Sequence, residues 1–259
     1  LGRGNLLGDY AGNIKVSDVI LSPGMNIHLK VDAVGKSITY VISDLDTGSE
    51  LWNYTTENDE WAMGSFGFRA CIMHEGLTNL AMLGFDNLKI TAHGEVGDHL
   101  AAGKALVDYK PKAESAAILP KVTPAIDVKV PAVVEVKASD LDMSVTDYVF
   151  YENDFSDAKT IADFTQYRGD WAIQKGALYY AAQTDGFKDA NNFSFILYTA
   201  NHDANLLTDY TVEADLINSQ TAAGVITHAD LAKANSDGVN AFYGYLSFVS
   251  NDGAKGALG

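Results

Sequence analysis

The sequence predicts an all-β protein that folds as an antiparallel β-sandwich, and three observations support this prediction. Apolar and polar residues alternate at 25–42, 210–216 and 242–248, with the period of strands that bury one face. Turns rich in Gly, Asn and Asp separate such segments. Helical periodicity is weak throughout, so many short strands must cover one another's apolar faces, as two packed sheets do.

The first part of the chain contains a predicted hairpin followed by two further strands. Alternation at 27–31 resumes at 38–42, and the intervening residues 34–37 have the composition of a tight turn. Residues 64–70 form a short predicted strand whose glycines permit close packing. Residues 83–91 form the next one, with its large apolar side chains predicted to be buried.

The last part of the chain is also predicted to be β. Residues 210–216 alternate strictly, and so do residues 242–248, which end at the predicted turn 250–253. A short helix is predicted at 228–234, in a loop between strands. Both ends of the chain therefore contribute strands, and neither shows the longer periodic segments of a helical domain.

A proline-rich stretch divides the chain. Pro111, Pro120, Pro124 and Pro131 are four of the five prolines in the sequence, and all lie within 105–148. Proline removes a ladder donor and favours extended backbone, so this stretch is predicted to be a semi-rigid linker or an edge-strand tether. The predicted flanks are residues 1–104 and 149–259, which are called the first and the second flank below.

Composition restricts the classes of partner. The chain has 34 acidic and 18 basic residues, for a formal net charge of −16. This charge argues against a nucleic-acid backbone or an anionic membrane as the partner, whereas neutral glycans and cations are compatible with it. The single cysteine, Cys71, excludes an intramolecular disulfide and a cysteine-based zinc cluster. No segment approaches the ~18 apolar residues of a membrane span.

Several segments of the second flank resemble a known fold. Residues 153–157, 169–178, 209–214 and 224–226 resemble the opening half of a concanavalin A-like jelly roll of the laminin-G type. The first flank resembles the closing half of the same fold. Its matching segments are residues 26–31, Trp52, 64–70 and 85–90. The resemblance implies one jelly roll whose two halves occur in reversed order.

Three explanations fit the reversed order. In the first, the domain is circularly permuted. In the second, the chain is a segment of a tandem array of domains that is cut in the middle of a domain. In the third, each flank belongs to a separate incomplete domain. The last leaves apolar sheet faces in water at ~25 cal/mol per Å², which is unfavourable. The chain begins without Met at Leu1 and is expected to be processed or part of a longer one. A permuted domain would place Leu1 close to Gly259.

The same resemblance implies a calcium site. In many jelly-roll modules the first and last strands lie side by side, with Ca²⁺ bound near their ends. Here that arrangement would bring Glu152 and Asp154 close to Asp86 and Asn87. Carboxylate and amide oxygens are the ligands that Ca²⁺ prefers, so a structural calcium ion is the predicted cofactor. The six histidines lack zinc-ligand spacing and are predicted to lie at the surface.

Four aromatic residues are candidates for contact with a sugar ring. Trp61 lies in a polar loop before a strand, which makes it the best candidate for an exposed platform, although it could also anchor the loop under the sheet. Trp52 is a second candidate. Tyr243 and Tyr245 share one face of a predicted strand and either line a concave sheet or fill the core.

Catalysis is disfavoured by the sequence. Glycosidases similar to the family-16 glucanases carry two glutamates on one strand in the pattern Glu-x-Asp-x-x-Glu. Residues 152–157 and 213–218 come close to this pattern, but the first ends in Asp157 and the second in Asn218. Two carboxylates on one strand, without the third carboxylate of the pattern, are more typical of a solvated sheet face than of an active site.

Three functions are therefore compared. The resemblance implies a non-catalytic, secreted laminin-G-like module at the cell surface or outside the cell, which binds glycan or serves as a repeat of a surface protein. The first alternative is a structural subunit of an extracellular filament that assembles with neighbouring copies by sharing strands or domains. The second alternative is a glycoside hydrolase of the glucanase or keto-disaccharide hydrolase type.

Overall fold

The computed structural model describes most of both flanks. The described residues are 3–4, 10–11, 24–71, 83–103, 147–181, 193–217, 222–236, 243–251 and 256–258. The linker prediction for 105–148 therefore lies almost wholly outside the described residues. So do the predicted proximity of Leu1 and Gly259 and the position of Asn218.

Strands dominate the described chain. The first flank contributes β1 (Arg3–Gly4), β2 (Tyr10–Ala11), β3 (Ile27–Val34), β4 (Ser37–Asp44), β5 (Glu50–Glu57), β6 (Ser65–Cys71) and β7 (Leu83–His93). The second flank contributes β8 (Asp147–Asn153), β9 (Phe164–Arg168), β10 (Asp170–Gln174), β11 (Ala177–Ala181), β12 (Phe193–Tyr198), β13 (Tyr210–Ile217), β14 (Ala222–Ala229), β15 (Tyr245–Asn251) and β16 (Gly256–Leu258).

Helices are short and lie at strand ends. In the described residues, two are α-helical, α1 (Gly94–Ala101) and α2 (Leu231–Ser236), and 3₁₀ turns occupy Ala158–Asp163 and His202–Leu206. The helix predicted at 228–234 begins later, at Leu231, because His228 and Ala229 still belong to β14.

Two antiparallel sheets pack face to face, which confirms the predicted sandwich. The large sheet has the order β10-β11-β7-β13-β3-β4-β5, and β8 pairs with β7 alongside β11. The small sheet has the order β16-β15-β14-β6-β12-β9. Every strand pairing described within these two sheets is antiparallel.

Strands of the two flanks alternate within both sheets. In the large sheet, β7 of the first flank lies between β8 and β11 on one side and β13 on the other. β13 in turn separates β7 from β3. In the small sheet, β6 lies between β14 and β12. Each of the two packed sheets is therefore completed only by strands from both ends of the chain, whereas the short pair β1-β2 lies within the first flank.

An aromatic cluster fills the space between the sheets. Phe68 of β6 stacks on Phe85 of β7, with ring centroids 4.3 Å apart. Trp171 of β10 lies 6.2 Å from Phe85 and is 4 % exposed. Alternation in β3 sends Ile27, Leu29, Val31 and Ala33 into the same core. These buried positions in β3 are the ones that the period-2 pattern of the sequence predicts.

The small sheet is apolar on its outer face as well, which the alternation does not predict. A second buried cluster contains Tyr167, Phe195, Leu197, Ile226, Leu246 and Phe248, together with Leu231 and Ala234 of α2. Gly224 lies among them, and a Cβ at this position would collide with the Ser247 carbonyl oxygen and Phe248. The outer face of the large sheet is polar instead, so it is the face on which a functional site is sought.

Candidate functional site

The candidate site lies on the outer face of the large sheet, where β8, β7, β13 and β3 run side by side. Alternation along β13 turns Val212 and Ala214 into the core and leaves Glu213 and Asp215 on the outer face. The register places Glu213 opposite both Lys89 of β7 and Lys30 of β3. Carboxylates and ammonium groups therefore alternate across the strands.

A groove of about 610 Å³ opens at this face. Every residue that lines it is of a polar type, and these residues come from four strands and the turn after β8. The lining residues are His28, Asn87, Lys89, Glu152, Asn153, Asp154 and Glu213. Since three of them are carboxylic acids and one is a lysine, the groove is acidic.

His28 connects two of the acidic side chains. Its Nδ1 lies 2.7 Å from Asp215 Oδ1, and its Nε2 lies 3.7 Å from Glu213 Oε1. The second oxygen of Asp215 accepts a hydrogen bond of 2.7 Å from Asn87 Nδ2. The hydrogen bond to Asp215 raises the pKa of His28 against the opposing effect of burial, and both carboxylates add to the rise.

The carboxylates beside the groove have unequal proton affinities. Burial raises the pKa of Asp86, and the negative charges of Asp215 and Asp154 add to that effect. Hydrogen bonds from Ser156 lower the pKa of Asp154. Asp154 is exposed and ready to accept a cation or a hydroxyl donor, whereas Asp86 holds its proton more readily.

Hydrogen bonds within the β8 end fix the wall of the groove. The Asn153 Oδ1 accepts from the Phe155 backbone N–H at 2.7 Å, and the Asn153 Nδ2 donates to the Tyr151 hydroxyl at 2.8 Å. That hydroxyl donates to Asp163 Oδ2, also at 2.8 Å. Asn153 is 7 % exposed, so these hydrogen bonds are buried and hold this wall of the groove in place.

The structure brings most of the predicted calcium ligands together. β8 pairs with β7 so that Leu88 faces Asn153 and Lys89 faces Glu152. This register puts Glu152, Asp154 and Asn87 on one groove, and Asp86 lies close enough to Asp154 to feel its charge. Among the described residues, however, no group of three or more His, Cys, Asp or Glu side chains has the spacing to hold a metal ion. Calcium binding stays a prediction.

Of the four predicted sugar-contacting aromatics, Tyr245 belongs to the sandwich interior and Trp52 packs against it. Tyr245 is 2 % exposed, its hydroxyl donates to Asn58 Oδ1 at 3.0 Å, and it accepts from the Trp61 N–H at 2.9 Å. Trp52 is half-buried against the core, 6.1 Å from Tyr40 and stacked on Tyr54 at 5.7 Å. Tyr245 therefore fills the core, as the second interpretation of its strand allowed.

The other two aromatics lie together near α2. The rings of Trp61 and Tyr243 are 5.8 Å apart, and Lys233 Nζ lies 3.9 Å from the Tyr243 ring centroid. Trp61 is half-buried and packs against the core, as a loop anchor does. Of the described residues that line the groove, none is aromatic.

The sequence alone did not identify His28 and Lys89 as residues that line the groove. Both alternate with core residues, so an outward position was foreseeable, but only the strand register shows that they face Asp215 and Glu213. The surface prediction is wrong for His228. This residue is 1 % exposed, and burial lowers its pKa to about 4.

Among the described residues, no helix is both long and apolar enough to span a membrane. A scan of known protein families finds no match to this chain, and a search of curated proteins finds no significant relative.

Proposed function

We propose that this protein is a non-catalytic carbohydrate-binding module of the cell surface or the extracellular space. The observation that carries the proposal is the open groove of about 610 Å³ on the solvent-facing side of a sandwich sheet, lined by residues whose side chains can donate or accept hydrogen bonds. Sugars present many hydroxyl groups at a spacing that carboxylates, amides and ammonium groups can satisfy.

The charge of the groove restricts the class of glycan. Glu152, Asp154 and Glu213 accept hydrogen bonds from hydroxyl groups, and Lys89 donates to ring or hydroxyl oxygens. Three carboxylates against one lysine would repel a sulfated or uronate-rich chain. The proposed ligand is therefore a neutral glycan.

Removing the charge of Glu213 should weaken this binding. Hydrogen bonds to a charged group contribute ~1.5–3 kcal/mol, so Glu213→Gln is expected to raise Kd roughly tenfold or more. Calorimetric titration of neutral gluco-, xylo- and galacto-oligosaccharides would measure the change. Glu57→Gln is the matched control, because Glu57 is an exposed glutamate at the end of β5 that does not line the groove.

Two results would contradict the proposal. One is equal Kd values for the Glu213→Gln and Glu57→Gln variants, or no binding of any neutral oligosaccharide. The other is turnover of a β-glucan that disappears in Glu213→Gln, which would favour the glycoside hydrolase alternative. Asp215 already pairs with His28 and Asn87, which supports a binding role for this strand.

We further propose that Ca²⁺ binds in the groove through Glu152, Asp154 and Asn87, together with the adjacent Asp86. A cation bound only by the folded state stabilises it by about 2.7 kcal/mol at a hundredfold excess over Kd. The melting temperature is therefore expected to fall on addition of EGTA and to recover with excess calcium. Asp154→Asn should abolish this response, and Asp59→Asn, at an exposed carboxylate, should retain it. A calcium-independent melt with no metal by elemental analysis would refute the site.

The filament alternative has less support from the strand pairing. It needs the first flank to complete its sheet with a neighbouring copy, but β7 and β3 already pair with β13 of the same chain. The β5 strand, which ends the large sheet, exposes Glu50, Asn53, Thr55 and Glu57. Polar and charged edge residues discourage pairing between molecules.

A further inference from the structure

His228 lies at a junction between the two sheets and does not line the groove. It belongs to β14 of the small sheet, and its backbone N–H donates to the Tyr210 hydroxyl of β13 in the large sheet at 2.6 Å. That hydroxyl lies 3.3 Å from the carbonyl oxygens of both Gly64 and Ser65, at the start of β6. The ring Nε2 of His228 lies 3.0 Å from the carbonyl oxygen of Thr208, just before β13. These contacts connect both sheets and both flanks at one place.

The Thr208 carbonyl fixes the tautomer of the His228 ring. A backbone carbonyl oxygen can only accept a hydrogen bond, so the Nε2 atom must carry the proton. The Nδ1 atom of the neutral ring is then a lone pair, and among the described residues it has no hydrogen-bond partner. A second proton would therefore lie on Nδ1 without an acceptor, in a residue that is 1 % exposed. The site accommodates the neutral imidazole and disfavours the imidazolium.

Aromatic rings and one carboxylate surround the imidazole. Tyr210 lies 5.1 Å from it between ring centroids, and Tyr245 of β15 lies edge-on at 5.6 Å. Burial raises the pKa of both tyrosine hydroxyls, so they are neutral at the pH values considered below. Burial also lowers the pKa of His228 to about 4, against the Thr208 carbonyl and the charge of Asp209, which both raise it. Of the described residues, Asp209 is the charged one whose field reaches the ring.

The backbone around His228 is tightly held. Its φ of 52° lies in the left-handed region, which non-glycine residues rarely adopt. The pairing of β14 with β6 shifts register between Ile226 and Ala229. Gly64 packs directly on this segment, since a Cβ at position 64 would lie 2.5 Å from the carbonyl carbon of His228. A segment packed this closely does not admit water around an ion through a small shift, so an imidazolium is relieved by opening the junction.

We propose that His228 is an acid-sensitive latch between the sheets: the neutral ring holds β14 on the start of β13, and protonation releases this junction. Opening exposes the ring to water, where its pKa returns to about 6.5, whereas the closed form holds the pKa at about 4. The open form therefore binds the proton more tightly, and falling pH favours it between these two values. The latch is independent of the glycan proposal, because its residues do not line the groove.

Amide hydrogen exchange of His228 tests the latch, because its N–H is bonded across the junction to Tyr210. The full chain is compared at about pH 7.5 and about pH 5, with exchange corrected for its intrinsic dependence on pH. Protection of this amide is expected to fall roughly thirtyfold at the lower pH, the change in the opening equilibrium that follows from the two pKa values. Amides of the β4–β5 ladder at 38–42 are the internal reference and should change much less.

Two variants identify the histidine responsible. His228→Gln removes the titration and keeps a side-chain N–H donor for the Thr208 carbonyl, so protection of residue 228 should no longer fall between the two pH values. His202→Gln is the matched control, because His202 is exposed in a 3₁₀ turn, and it should respond as the unmodified protein does. His28 is present in all these proteins, and its raised pKa gives stability that is lost as pH rises, opposite in sign to the latch.

A measurement on the unmodified chain keeps the test decisive even if His228→Gln does not fold. Nitrogen NMR of the His228 ring at about pH 5.5 is expected to show the neutral Nε2–H tautomer, at a pH where an exposed histidine is mostly protonated. The latch is refuted if this ring is an imidazolium in the folded protein at that pH. It is also refuted if protection of the His228 amide is independent of pH, or if His228→Gln retains the full fall.

Discussion

Fragments 1–104 and 147–259, expressed separately, are each expected to lack a cooperative thermal transition, and mixing them is expected to restore one. The reason is the alternation of flanks within the sheets. Without the second fragment, β7 loses β8, β11 and β13, and β6 loses both β12 and β14. Each fragment would expose unpaired strand edges together with core residues such as Phe68 and Phe85.

Circular dichroism during heating measures the cooperativity of the transition. The spread of amide proton chemical shifts in NMR spectra shows whether each sample is folded. A shortened second fragment, 147–208, is the control, since it lacks β13, which separates β7 from β3, together with β14, β15 and β16 of the small sheet. Mixing 1–104 with 147–208 should not restore the transition. A cooperative melt of either fragment alone would show that one flank closes its own core, and the interleaved topology would then be wrong for the protein in solution.

The positions of the long strands could be predicted from the sequence. Alternation at 27–31, 38–42 and 210–216 matches β3, β4 and β13, because the core-facing positions of each strand are apolar and the outward positions are mostly polar. The alternation fails at β12 and β15. Phe195 and Leu197 are as fully buried as Ile196 between them, since both faces of the small sheet are covered, and a strand buried on both faces has no period.

Pairing across the flanks could not be derived from periodicity. The fold resemblance placed β8 next to β7, and it thereby placed Glu152 and Asp154 beside Asn87, as the groove now shows. The contribution of His28 depends on its position opposite Asp215, across a sequence separation of 187 residues. No local pattern encodes such a register, because it follows from how two distant strands bury their apolar faces.

Aromatic character does not indicate the position of the groove, whose lining does not include any of the four candidate aromatics. Trp52 and Tyr245 are candidates for contact with a sugar because aromatic rings can stack on sugar rings. Their rings bury more apolar surface in the core than a polar strand face can offer, and the Tyr245 hydroxyl finds its partner in Asn58. The groove is polar for the complementary reason: its residues occupy the outward positions of strands whose inward positions are already filled.

Phe68→Ala is expected to cost about 3–5 kcal/mol of the free energy of unfolding, the usual range for a fully buried phenylalanine. Phe68 is 0 % exposed and stacks on Phe85 of the facing sheet with centroids 4.3 Å apart. It also lies 6.4 Å from Phe155 and 6.3 Å from Phe164. Its removal leaves a cavity where β6 and β7 of the first flank meet residues of the second.

Urea denaturation followed by fluorescence measures the loss. Val149→Ala is the control, because Val149 is 45 % exposed on β8, and it should change the free energy of unfolding by less than about 0.5 kcal/mol. Phe68→Leu keeps an apolar side chain in the same place and should cost less than Phe68→Ala. A loss below about 1 kcal/mol in Phe68→Ala would mean that Phe68 does not join the two sheets, since a cavity of that size cannot close without moving β6 or β7.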